Sequence, residues 1–309
     1  MKGHSHLKND LVQKYGGPFQ FRTVDLPSYP TINYGDSVRV MQEPNLTSLP
    51  NVDFLTLMLS RPCDHFLRHL IRCNTRETQH EKGFHLVFVI ALSPNATCNK
   101  MIEEENGKYG DILQFNHSDG YHFITLSVFH AFHYVEKLHL PVKYVVKTDS
   151  DCVINYDLLY QRIAIYDEAR QNKLYMGMCH VRNTYNYKQK HKKNYVPKAL
   201  LRRDTFIRYF TDGGGYVISY HLLPQLLLTL RHLPFIAHNE DMNVGKGMIM
   251  LGVPCTHDPF WLARKGCTNK RDCLRYVVMH PKEDIEETMQ FYSYLHWCVC
   301  FHPCDSSFQ

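Results

Sequence analysis

The sequence predicts an α/β fold, a mostly parallel Rossmann-like sheet with flanking helices. Three observations lead there. Continuous apolar runs, Phe54–Ser60 and His85–Leu92, have the length and composition of strands buried on both faces. They alternate with segments whose apolar residues recur three or four apart, the period of a helix packed along one side. Finally, Pro141–Asn155 reads as a strand that leaves the sheet in a polar knot, Thr148-Asp149-Ser150-Asp151. Ligands of open α/β sheets bind beyond such carboxyl ends.

Taken in order, residues 1–50 are polar, rich in Pro, Gly and Tyr, and without periodicity, so a stem or loosely packed lead-in is expected there. One domain is expected over 51–309. After the first strand, Phe66–Glu77 fits a helix with Leu67, Leu70 and Ile71 inward and Arg68, Arg72 and Arg76 on the other side. Asn99–Lys108 reads as an acidic surface helix and Asp111–Phe115 as a short strand. Thr125–Leu138 carries Leu126, Phe129, Phe132, Val135 and Leu138 three apart, a helix buried along one side. Beyond the acidic knot come a helix over Tyr156–Arg170 and a strand over Lys173–Cys179. A helix over Leu222–Leu233 is interrupted early by Pro224, and a strand over Tyr276–His280 ends in a histidine.

A chain of 309 residues, 44% apolar and 13% aromatic, can bury a full core. The net charge of +5 is modest. The basic run Lys188–Lys193 with Arg202-Arg203 reads as a solvated loop, and no recognition module accompanies it, so a nucleic-acid partner is set aside. Eleven cysteines lean toward an oxidising lumen. Five of them follow residue 266, where disulfides closing the C-terminal lobe are expected. Three sequons, at Asn45, Asn95 and Asn116, agree with a lumenal address. No apolar run has the length of a signal core or a membrane span, so no anchor is visible in the chain as written.

Four features carry chemistry. Asp149 and Asp151, two apart on an extended loop, can point together at one hard cation, which binds through carboxylates plus substrate phosphates; the bland alternative is a polar turn. Gly213-Gly214-Gly215 allows unusual backbone angles or close approach to a ligand, and lacks the lysine and hydroxyl of a phosphate loop. Glu240 and Asp241 head a helix, as caps do, yet a carboxylate placed there can also serve as a general base. His280, at a strand end, is either polar surface or a third metal ligand.

The order of these features resembles the β-1,3-glycosyltransferases of family 31. The resemblance runs from about Leu55 to Leu295. Arg68-His69-Leu70-Ile71-Arg72-Cys73-Asn74-Thr75 is similar to that family's early arginine block, and Tyr109-Gly110-Asp111-Ile112-Leu113 after Glu104 to its Tyr-Gly-Asp-Ile-Leu block. Asp119-Gly120-Tyr121-His122-Phe123-Ile124-Thr125-Leu126 is similar to the segment that follows. Lys147-Thr148-Asp149-Ser150-Asp151, Gly213–Ser219 and Glu240-Asp241-Met242-Asn243-Val244-Gly245 are similar to the metal, glycine and base blocks.

The resemblance implies a glycosyltransferase A-type fold over 51–309 and an inverting β-1,3 transfer of a hexose, galactose first, from a UDP-sugar to a glycan on a glycoprotein or glycolipid. It implies Mn2+ at Asp149, Asp151 and His280, with Asp151 the direct ligand. Asp241 is implied as the base. Arg72 and Lys147 are implied at the nucleotide or diphosphate, and Gly213, Gly214 and Gly215 around the donor. It also implies a Golgi location with a membrane anchor. A non-catalytic descendant that binds a glycan or a partner transferase is the alternative; a hydrolase using water as acceptor would share the diphosphate site.

Overall fold

A computed structural model describes residues 37–46, 49, 52–81, 83–180, 210–233, 238–263, 269–280 and 285–295. The basic run, Arg202-Arg203 and four of the five C-terminal cysteines (Cys267, Cys298, Cys300, Cys304) lie outside these residues. The fifth, Cys273, is disulfide-bonded.

The strands are β1 (Val40–Gln42), β2 (Phe54–Leu59), β3 (Phe84–Leu92), β4 (Ile112–Ser118), β5 (Tyr144–Asp149), β6 (Val153–Ile154), β7 (Tyr175–His180), β8 (Phe210–Ser219), β9 (Thr256–His257), β10 (Leu262–Ala263) and β11 (Val278–Met279). The helices are α1 (His65–Glu81), α2 (Ala96–Tyr109), α3 (Ile124–Lys137), α4 (Tyr156–Ala164), α5 (Glu168–Gln171), α6 (Leu223–Arg231), α7 (Glu240–Met250), α8 (Lys270–Cys273) and α9 (Ile285–Leu295). An eight-stranded sheet runs β1-β4-β3-β2-β5-β8-β7-β9, and β10-β11-β6 form a second, small sheet.

The expected parallel core is present: β4, β3, β2 and β5 are mutually parallel neighbours. The chain runs outward from β2 through β3 to β4, then crosses back to place β5 on the other side of β2. The strand order therefore reverses between β2 and β5, the position at which such sheets open a ligand crevice beyond their carboxyl ends. Leu59 pairs with Asp149 in this register, so the acidic knot emerges at that crevice. On its far side β5 pairs with β8, which is antiparallel and enters the sheet beside the knot.

Both faces of the sheet are covered, as the unbroken apolar strands require. Leu55, Leu57, Val87 and Val89 pack with Phe129 and Phe132 of α3, Leu226 of α6 and Val244 of α7. Met58, Leu86, Phe88 and Ile90 pack with Ile71 of α1, Ile102 of α2 and Phe291 of α9. The small sheet closes on the second face through Trp261 and Val278. The ordered fold begins earlier than residue 51: β1 pairs with β4, and Leu46 is buried in the core.

Two helices depart from the periodicity reading in the same way. Arg68 and Arg72 are buried, where a polar outer face was expected. Arg68 chelates Glu105 through Nε and Nη2 at 2.9 and 2.7 Å and also donates to Ser60 Oγ and the carbonyls of Arg61 and Pro62. Arg72 chelates Asp111 with two 2.7 Å bonds, also meets Glu105, and lies over the rings of Phe88 and Tyr109. Glu105 consequently belongs to the interior and not to a surface helix. A bidentate guanidinium–carboxylate pair satisfies enough donors at once to make such burial tolerable. Smaller differences have local causes. Asp167 caps α5 by accepting from Arg170 N, which splits the long helix expected over Tyr156–Arg170. Pro224 sits in the first turn of α6, where a missing N–H costs nothing, so it starts the helix instead of interrupting it.

Cys63–Cys98 ties the β2–α1 connection to α2, and Cys179–Cys255 spans β7 to β9. Cys73 is disulfide-bonded as well. Among the described residues no helix is long and apolar enough to cross a membrane.

Glu105→Gln strands two buried guanidiniums without their shared charge. Urea unfolding is expected to show a loss of about 3–5 kcal/mol, whereas Glu104→Gln on the exposed side of α2 stays within about 0.5 kcal/mol.

Candidate active site

The acidic knot, the glycine strand and the start of α7 meet around Lys147. In β5 its side chain alternates onto the same face as Asp149, and antiparallel pairing brings β8 alongside. Its Nζ donates to Asp149 Oδ1 at 2.8 Å, to Glu240 Oε1 at 2.7 Å and to the Gly213 carbonyl at 2.6 Å. An ammonium has three donors, and all three are taken. Burial lowers its pKa, but Asp149 and Glu240 together push it above its ordinary value. The residue expected at the nucleotide or diphosphate thus stands within a set of the protein's own bonds. Lys147 joins the acidic knot, the glycine strand and the start of α7.

The three glycines are neither a turn nor in left-handed conformations; the positive-φ glycines are Gly83, Gly110, Gly120 and Gly252. They form a long bulge. Between the pairs Gly177↔Tyr216 and Cys179↔Thr211, β7 advances two residues while β8 advances five. Bulges of this kind redirect a strand beside a functional site. The reason for glycine is space: a Cβ on Gly213 would stand 3.2 Å from Glu240 Oε1 and 3.6 Å from Asp241 Oδ2, and one on Gly215 would stand 3.2 Å from Val278 Cγ2. The carbonyls serve as acceptors, Gly214 for Thr148 Oγ1 at 3.0 Å and Gly215 for Trp261 Nε1 at 2.7 Å.

Glu240 and Asp241 begin α7 but divide the work. Glu240 is buried; Lys147 holds one oxygen and the Tyr216 hydroxyl donates to the other at 3.0 Å. Burial raises its pKa against the pull of Lys147 and Tyr216. Asp241 is half-buried and packs on Gly213, with Met242 N donating to its Oδ1 at 2.7 Å. Burial, and then the charge of Glu240, push the Asp241 carboxyl up to about 7. That value suits proton uptake near neutral pH.

The second cluster lies on the other side of the knot. Asp151 Oδ2 and His280 Nε2 are 3.0 Å apart, and Cys152 Sγ lies 3.6 Å from Asp151 Oδ1. Burial opposes ionisation of Asp151, yet its bond to His280 holds the carboxyl below its ordinary range. One ligand atom from each of Asp151, Cys152 and His280 falls within 4.8 Å of the others, a set of oxygen, sulfur and nitrogen donors that fits a divalent cation. Asp149, expected as a ligand beside them, pairs with Lys147.

Of the expected site residues, Lys147, Asp149, Gly213 and Asp241 converge through the Lys147 network, with Gly214 and Gly215 following in the same strand. Asp151 and His280 converge beside them. Arg72 does not join either group; its contacts are Glu105, Asp111 and two rings. Sequence reading missed the bond of Tyr216 to Glu240, although Tyr216 directly follows the glycines. It also missed the pair His180 Nε2–Asp212 Oδ2 at 2.8 Å, formed across β7 and β8 at the mouth of the bulge. Neither has a local signal.

Lys147→Met leaves Glu240 buried without its charge partner, and a loss of about 3–5 kcal/mol in urea unfolding is expected. Adding Glu240→Gln should return part of it, giving a coupling of about 0.5–3 kcal/mol in the double-mutant cycle.

A family model described as galactosyltransferase matches residues 68–259, which include the arginine block, the acidic knot, the bulge and the start of α7. Beta-1,3-galactosyltransferase 1 of Homo sapiens and of Mus musculus is 28% identical over 217 residues, 69% of this chain and 65% of the relative. UDP-GalNAc:beta-1,3-N-acetylgalactosaminyltransferase 1 of Mus musculus is 28% identical over 218 residues, 69% of this chain and 64% of the relative. The match thus spans slightly under two thirds of those relatives' length. Among solved structures, the WbbM bifunctional glycosyltransferase overlays with a TM-score of 0.44 at 10% identity, covering 81% of this chain and 51% of that one. Mouse xyloside xylosyltransferase 1 does so with a TM-score of 0.37 at 12% identity, covering 75% and 98%. With the family model extending over more than half of its length, the chain belongs to the galactosyltransferase family.

Proposed function

We propose that this chain is an inverting β-1,3-glycosyltransferase that moves a hexose, galactose first, from a UDP-sugar to a hydroxyl of a glycan acceptor on a glycoprotein or glycolipid. The observation that carries the reading is Asp241: a half-buried carboxyl with a pKa of about 7, packed on Gly213 in the crevice at the β2–β5 switch point. The relatives' names, a galactosyltransferase and an N-acetylgalactosaminyltransferase that both form β-1,3 bonds, point the same way.

Asp241 takes the proton of the acceptor hydroxyl as that oxygen bonds to the anomeric carbon. On the opposite side of the carbon, the bond to the diphosphate oxygen breaks and UDP leaves with the electron pair. Attack opposite the leaving group inverts the centre. Glu240, held by Lys147 and Tyr216, fixes the first turn of α7 and so the position of Asp241. The bare carbons of Gly213 to Gly215 leave the donor room against this wall. Asp151 and His280 would hold the Mn2+, with Asp149 close behind in the same loop, and the cation would offset the charge gathering on the diphosphate. The disulfides Cys63–Cys98 and Cys179–Cys255 accord with an oxidising Golgi lumen.

Titration of UDP into the protein with and without Mn2+ tests the donor site. Cation-dependent binding is expected, and Asp151→Ala should abolish it; a folded protein that binds no UDP overturns the reading. Asp241→Asn should keep UDP binding and lower kcat by about 10²- to 10⁴-fold with UDP-galactose and an acceptor sugar. The pH profile has a definite sign. Asp241 must be deprotonated to act, so kcat/KM should rise with pH, reach half its plateau at about 7, or lower once a cation is bound, and level off above that. Asp241→Asn should remove that acid limb.

A further inference from the structure

We propose that Cys152 is a third ligand of the cation site, and that it gives this chain a preference for borderline cations of the Zn2+ and Co2+ class over Mn2+. The inference rests on the reading of Asp151 and His280 as the ligands that hold the donor's cation.

Backbone geometry sets Cys152 opposite His280. In the small sheet β11 and β6 are antiparallel with Val278 opposite Ile154 and Met279 opposite Val153. Continuing the register by one position sets His280 across from Cys152. The tight turn before it, closed by Cys152 N donating to Asp149 O at 3.0 Å, turns the knot back on itself. Asp151 Oδ1 and Cys152 Sγ consequently lie 3.6 Å apart, and the three ligand atoms fit within 4.8 Å. Tetrahedral zinc, with sulfur at about 2.3 Å and nitrogen at about 2.0 Å, separates two such ligands by roughly 3.5 Å. Closing the cluster therefore requires shifts of about an ångström.

The donor chemistry discriminates between ions. Manganese and magnesium favour sites made of oxygen, whereas an oxygen, nitrogen and sulfur set belongs to zinc and its neighbours. Cys152 is also the free thiol among the described residues; Cys63, Cys73, Cys98, Cys179, Cys255 and Cys273 are all in disulfides. At 1% exposure it is shielded from oxidation, yet its sulfur stands against the acidic knot. The competing account is a core filler, since Cys152 also packs with Val146, Ile154 and Val278. Cys152→Val distinguishes them, because it keeps the apolar shape and removes the sulfur.

Co2+ is titrated into the full chain and into Cys152→Val, with circular dichroism confirming that both are folded. A sulfur-to-cobalt charge-transfer band in the near ultraviolet is expected for the parent and absent from the variant. Zn2+ binding, measured by competition with a chromophoric chelator, should weaken at least tenfold in the variant while Mn2+ binding stays within twofold. Cobalt binding without the band, or equal zinc affinity in both proteins, overturns the proposal. UDP titration with Mn2+ on the same preparation separates the two readings. Cation-dependent UDP binding without a thiolate band removes only Cys152 from the site; absence of both removes the site and the proposal together.

Discussion

One buried ammonium sets the spacing of the candidate site. Lys147 Nζ holds Asp149 in the knot after β5, the Gly213 carbonyl in the bulge of β8 and Glu240 at the head of α7. Each of those three belongs to a different element. A buried charge tolerates so little misplacement of its partners that it acts as a gauge between them. Asp241, next in the chain to Glu240, inherits its position from that gauge. The same carboxylates that keep Lys147 charged also make Asp241 harder to ionise, so the network that positions this carboxyl also raises its pKa.

A second ionic network does the corresponding work in the scaffold. Arg68 and Arg72 on α1 fasten Glu105 of α2 and Asp111 before β4, and thereby fix the first helices against the parallel strands that lead into the switch point. The Cys179–Cys255 bridge encloses β8, α6 and α7, so the bulge and Asp241 lie inside one covalent loop. In the loop-entropy view, closing a loop of that size removes roughly 4 kcal/mol of freedom from the unfolded chain.

Much of this was legible in the sequence where local physics decides. Phe54–Ser60, His85–Leu92 and Thr125–Leu138 form their expected elements because their apolar pattern admits one solution. The knot falls at a strand end because Asp149-Ser150-Asp151 cannot continue a buried strand. What escaped depends on partners distant in sequence. Periodicity counts an arginine as outward, so Arg68 and Arg72 were assigned to the wrong side until Glu105 and Asp111 met them. The bond of Lys147 to Glu240 likewise has no local signal. The glycine run showed that something approaches closely, but that Glu240 and Val278 are what approach is a tertiary fact. Cys152 and His280 are brought together by a strand pairing 128 residues apart.

The side chain of Asn116 is already in use. Its Oδ1 accepts from Arg39 N at 2.7 Å and its Nδ2 donates to Ser37 O at 3.3 Å, which pins the chain entering β1 along the edge of β4. Asn95 differs, because only its Oδ1 is engaged, capping α2 from an exposed position. A glycan joins the amide nitrogen. At Asn95 it would leave the cap intact. At Asn116 it would replace one of the two hydrogens on the Nδ2 that donates to Ser37 O, so the sugar would stand beside the chain entering β1 at the edge of the sheet.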